Sequence, residues 1–143
     1  SHPALKRKST MLRLLPVLAL VLATPALAAD PAKGESEFKK CKSCHSITAP
    51  DGTEIQKGGK TGPNLWGIVG NPVASNPDFK YGDGILAAKA AGAVWDEAAI
   101  AAYVADPTAW VKTASGDDAA KSKMSFKLTA GGEDMAAYLA TLK

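Results

Sequence analysis

Both cysteines of the 143-residue chain fall in one short run, Cys41-Lys42-Ser43-Cys44-His45. Cysteines at this spacing, followed at once by histidine, form the attachment pattern of a c-type haem. The chemistry needs those residue types there. Two thiols set across one helical turn add to the two porphyrin vinyl groups as thioethers, and the adjacent imidazole is brought beneath the plane to ligate iron. Other uses of the pair fit less well. A thioredoxin-like site calls for a βαβ context that the sequence does not offer. A tetrahedral zinc site needs four ligands, and two Cys plus one His leave it short. A disulfide would close a tiny loop and leave His45 without a role. One covalent haem c is the expected cofactor.

An iron held by one imidazole is either open on its other face or closed by a second side chain. Past residue 29, His45 is the only histidine, and Met124 and Met135 are the only methionines. Met135 shares a helical stripe with Tyr138, Leu139 and Leu142, which suits core packing. Met124 lies in the irregular run Lys121-Ser122-Lys123-Met124-Ser125-Phe126-Lys127, where nothing suggests core periodicity and a loop can approach the second face. Met124 is therefore the expected axial partner of His45. Ligation by His and Met raises the reduction potential and closes the iron to small molecules, a combination that suits electron transfer.

The elements that must position these residues read as helices joined by long loops. Asp30-Pro31 is an N-cap followed by proline at the first helical position, opening a helix to about Lys40. Gly34, Phe38 and Cys41 share one face of it, and a glycine inside a helix suggests a second backbone close by. From Ser46 to Asn64 the chain reads as polar, Gly-rich loop. Asp83 is expected to cap a short helix ended by Gly92. Asp96 caps another, with Trp95 and Ile100 as a hydrophobic staple and Ala99, Ile100, Tyr103 and Val104 inward. Asp106-Pro107 starts a short helix through Trp110, and residues 113–123 read as loop. A final helix covers about Gly131 to Leu142. No strand-like alternation appears, so the body is expected to be all-α. Aromatic residues are only 6% of the chain, a shortage that an apolar group bound in the interior would relieve.

Leu12 to Ala29 is an apolar run behind Lys6, Arg7, Lys8 and Arg13, with small residues at Ala26-Leu27-Ala28. Basic start, apolar middle and small-residue exit describe a secretory signal peptide cleaved near 28/29. A retained membrane anchor is the alternative, but the apolar core is short of the roughly 20 residues of a span, and Pro16 and Pro25 interrupt it. Met11 is a candidate start, with the ten residues before it read as tag or spurious leader. Residues 1–29 are thus assigned to the leader and 30–143 to one domain in the periplasm. Of 17 basic residues four lie in the leader, leaving 13 Lys against 14 Asp and Glu, a net of about −1. That balance argues against a nucleic-acid binder.

Taken together, these residues resemble the small soluble class I cytochromes c, and among them the longer cytochrome c-two type of alphaproteobacteria. The resemblance runs through 30–143 and rests on Lys33-Gly34-Glu35, Phe38, the Cys41–His45 run and Lys57-Gly58-Gly59-Lys60-Thr61-Gly62-Pro63-Asn64-Leu65. It continues through Phe79-Lys80-Tyr81-Gly82, Trp95, Tyr103, Pro107, Lys123-Met124-Ser125-Phe126-Lys127 and the last helix. It implies a class I fold, with short helices and long loops wrapped around one haem and the first and last helices crossing where Gly34 and Phe38 meet Tyr138. It also implies that the Pro63 carbonyl fixes the His45 ring, that Tyr81 and Trp95 bond a buried propionate, that Tyr103 lies near the Met sulfur, and that Phe126 covers the haem edge. The stretch 113–123 is longer than in mitochondrial cytochromes c, although the longer bacterial types share such an insertion.

The function so implied is a monomeric electron carrier, not an enzyme. Its partners would be membrane redox complexes, such as a cytochrome bc1-type donor and an oxidase, reductase or reaction-centre acceptor. Lys39, Lys40, Lys42, Lys57, Lys60, Lys121, Lys123 and Lys127 flank the segments framing the haem edge and would form the docking face. Two other readings stay open from sequence: an open-site haem enzyme or gas sensor with Met124 off the iron, and an anchored subunit of a membrane complex.

Overall fold

The computed structural model describes residues 2–6, 16, 17, 19 and 28–143. The signal-peptide reading falls mostly on residues 7–15, 18 and 20–27, which lie outside the described residues. Among the described residues no helix is long and apolar enough to cross a membrane.

Five α-helices carry the body: α1 (Pro31–Glu37), α2 (Asp83–Ala90), α3 (Glu97–Ala105), α4 (Pro107–Ser115) and α5 (Gly132–Ala140). Three begin on aspartate caps. The carboxylates of Asp30, Asp96 and Asp106 accept the amides of Ala32, Ala99 and Ala109 at 2.9, 2.7 and 3.1 Å. Each satisfies a backbone donor that the helix itself leaves free. A 3-10 turn, Phe38–Lys40, leads from α1 to the cysteine run.

Four sequence expectations need correction. The stretch 46–64 is not all loop, because β1 (Ile47–Thr48) and β2 (Glu54–Gln56) pair antiparallel. The turn between them is held by Asp51, whose carboxylate accepts the Thr53 amide, and by Gly52 at φ 88°. Strands this short leave no alternation to read. The cap of α2 is Gly82 rather than Asp83, which occupies the first helical position. α4 continues past Trp110 to Ser115 and stops at Gly116, in a left-handed conformation (φ 70°) that glycine adopts without strain. Residues 113–115 are therefore helix, and only the rest of 113–123 is loop.

α1 and α5 cross at Gly34. A Cβ there would fall on the Asp134 carbonyl and the Tyr138 Cβ, so only glycine admits this approach. Phe38 is fully buried beside the crossing, its ring 6.2 Å from that of Tyr138. The Asp30 amide donates to the Asp134 carboxylate at 2.8 Å, tying the start of the domain to its end. α3 also packs on α5, and Trp95, Ile100, Met135 and Leu139 complete the core around which the loops run.

Candidate haem pocket

A cavity of about 680 Å3 opens beside this core, within the size range of sites that hold organic ligands and cofactors. Cys41, Cys44 and His45 line it, as do Pro63, Tyr81, Trp95, Tyr103, Met124 and Phe126. All nine site residues expected from sequence thus share one space. Much of the remaining lining is apolar, including Leu65, Trp66, Ile68, Ile85, Ile100 and Val104.

The Gly-rich segment 58–62 lies directly on the cysteine run. Gly59 and Gly62 donate their amides to the Lys42 and Cys44 carbonyls, each at 2.8 Å. A Cβ on Gly62 would overlap the His45 ring, so this glycine forms a cradle shaped to the imidazole. His45 Nδ1 donates to the Pro63 carbonyl at 2.8 Å. A carbonyl can only accept, so the proton sits on Nδ1 and the Nε2 lone pair is free for a metal. Burial lowers the pKa of His45 and favours the neutral ring, while the Pro63 contact opposes that shift.

The two thiols differ. Burial, with Glu37 nearby, pushes the half-buried Cys41 up to about 11. Exposed Cys44 is lowered by hydrogen bonds from Thr61 and Ser43. Both are free thiols, the form needed to add to vinyl groups. Among the described residues no three His, Cys, Asp or Glu side chains converge as a metal cage. Two thiols, an oriented imidazole and a thioether around one largely apolar cavity form a donor set that fits a c-type haem.

Met124 is half-buried on a loop, whereas Met135 is only 2% exposed within α5, as core packing requires. The Tyr103 hydroxyl bonds the Ser122 hydroxyl at 2.9 Å, two residues before Met124. Tyr81 accepts the Asn76 amide at 3.0 Å and keeps its own proton to donate. Trp95 is buried and stacks on Trp110 with centroids 4.7 Å apart, and Tyr103 meets both rings edge-on. Phe126 is 46% exposed.

Sequence reasoning missed Trp66 as a lining residue, Trp110 as the support of Trp95, and Ser122. The interval from Trp95 to Trp110 offered no periodic signal, because the two rings come from different elements. Of the eight lysines, seven are exposed and Lys42 is half-buried. Lys40 pairs with Glu37 at 2.9 Å and Lys127 with Asp106 at 3.3 Å.

No protein-family model matches the chain. It is 60% identical over 126 residues to cytochrome c2 of Rhodobacter capsulatus, covering 88% of this chain and 92% of that protein. It is 57% identical over 126 residues to cytochrome c-550 of Paracoccus versutus, covering 85% and 82%. The solved structure of Rhodobacter capsulatus cytochrome c2 superposes with a TM-score of 0.77 at 59% identity, covering 79% of this chain and 97% of that one.

Proposed function

The chain belongs to the cytochrome c2/c-550 family of class I cytochromes c, and from that premise we propose that it is a periplasmic one-electron carrier between membrane redox complexes. It carries one covalent haem c. The observation that supports this reading most directly is the meeting of Cys41, Cys44, His45 and Met124 in one 680 Å3 cavity.

Cys41 and Cys44 would hold the porphyrin as thioethers, and His45 and Met124 would ligate its iron. The bound group supplies an iron that alternates between ferrous and ferric states. Pro63 and Gly62 fix the His45 ring, so that ligand does not turn when the charge changes. Tyr81 and Trp95 offer O–H and N–H donors to a propionate, and their own packing orients them. Phe126 stands at the exposed margin of the cavity, where it would keep water off the edge of the bound group. With His45 and Met124 both supplied by the chain, the protein shell would keep one arrangement in both states.

Lys39, Lys42, Lys57, Lys60, Lys121 and Lys123, with Lys40 and Lys127 at the margin, form a cationic face for acidic partner surfaces. A bc1-type donor and an oxidase, reductase or reaction-centre acceptor suit it. Encounters of this kind are small in area and brief. Residues 1–29 are a leader holding a signal peptide removed near 28/29, and 30–143 the exported monomeric domain.

Visible spectra of the purified protein in both oxidation states, followed by acid-acetone extraction, test the cofactor reading. Pigment should stay with the protein, and its release would overturn covalent attachment. The reduced protein should not bind carbon monoxide at neutral pH, whereas Met124→Ala should bind it and show a lower reduction potential. An unchanged potential and ligand field in Met124→Ala would remove Met124 from the iron and restore the open-site reading.

A further inference from the structure

Three elements meet at Ser122. Its amide donates to the hydroxyl of Thr108, in the first turn of α4, at 3.2 Å. Its own hydroxyl lies 2.9 Å from that of Tyr103 on α3. The same oxygen accepts the Met124 amide at 3.1 Å. Past these bonds the Met124 loop is next tied at Lys127, whose ammonium pairs with the Asp106 carboxylate at 3.3 Å, and at Leu128, whose amide donates to the Val104 carbonyl at 2.7 Å. Ser122 is thus the fixed point on the N-terminal side of Met124.

What surrounds Met124 makes that fixing consequential. Ser122 and Met124 line the 680 Å3 cavity and also a second, open surface pocket of about 390 Å3 that Thr108, Ser125, Lys112 and Lys127 border. Met124 therefore borders both spaces. Thr108 is not needed to start its helix. Asp106 caps α4 through the Ala109 amide, so the Thr108 hydroxyl is free to serve the loop.

Resting on the axial reading of Met124, we propose that Thr108 is a positioning residue of the axial methionine, holding Ser122 and through it keeping Met124 in the main cavity. Losing one hydrogen bond of this kind shifts an equilibrium by roughly fivefold, the equivalent of about 1 kcal/mol.

Titration of the ferric, haem-loaded protein with free imidazole reads how readily Met124 gives way. Thr108→Val should raise the apparent imidazole affinity about fivefold, weaken the thioether–iron charge-transfer absorption and lower the potential. Thr108→Ser, which keeps the hydroxyl, should retain wild-type values of all three. A purely structural role would move the denaturant midpoint while leaving potential and absorption unchanged, and that result overturns the proposal. So does a Thr108→Ser protein as altered as Thr108→Val. Should Thr108→Val fail to mature, Thr108→Ala is judged by the same criteria. Wild-type protein that binds imidazole as tightly as Met124→Ala overturns the axial reading and the proposal with it. If Met124→Ala opens the iron and Thr108→Val does not, the proposal alone falls.

Discussion

The His45 ring is held by a hydrogen bond on Nδ1 and by the bare face of Gly62, and neither tolerates much change. Gly62→Ala places a methyl group where the ring stands. Overpacking of this kind costs about 1–3 kcal/mol. The variant should show a lowered denaturation midpoint and an altered ferric spectrum, and a wild-type spectrum at wild-type stability would mean the ring is not confined there. At this scale the chemistry was legible wherever residue type alone is decisive. Two cysteines and a histidine at fixed spacing carry their meaning without a fold. The Pro63 contact came through family resemblance, and the structure shows the same pair at 2.8 Å. Ser122 was illegible, because one hydroxyl among lysines gains its role only from Tyr103 and Thr108 on other helices. Trp110 likewise means nothing until Trp95 is seen stacked on it.

Among the elements, the crossing of α1 with α5 depends on a missing side chain. Gly34→Ala would drive a Cβ into the Asp134 carbonyl, and backbone cannot swing aside as a flexible side chain can. A loss near 3 kcal/mol is expected, at the upper end of typical overpacking costs, measurable by denaturant unfolding of the haem-loaded protein. The α4 cap adds a dependence on acid. The Asp106 carboxyl is held below its ordinary 3.8, first by the Ala109 amide and further by Lys127. A depressed carboxyl pKa gives stability that is present above 3.8 and lost as pH falls through the lower folded value. Asp106→Asn should therefore lose less of its midpoint than wild type over that acid interval, and parallel curves would show that the cap does not titrate with folding. The starts of α1, α3 and α4 were readable because an aspartate before proline or a helical run states its own geometry, whereas at α2 the same signal misled, Asp83 standing inside the helix that Gly82 caps. The end of α4 was misread because Thr113-Ala114-Ser115 looks polar and loop-like, although Gly116 marks the true stop. The hairpin escaped because its strands are shorter than one full alternation.

For the whole molecule, the largely apolar lining of the cavity would face water without the group that covers it, which removes a substantial share of the apolar burial available to a small domain. The haem-free chain should therefore keep helical far-ultraviolet dichroism at most and lose near-ultraviolet signals, and a rigid apo spectrum would contradict this. The proposed cationic face, on residues 30–143 with a formal charge near −1, should make electron transfer to an acidic partner fall as salt rises, most steeply below about 0.15 M. A flat dependence, measured by stopped flow, would remove the lysines from docking. The Asp30–Asp134 bond spans 104 positions, and it carries a temporal meaning. The segment that opens the domain waits for the one that ends it, so the clasp shuts only once residue 134 has been delivered. A truncation before Gly132 would take from the opening helix the only surface on which Gly34 makes sense.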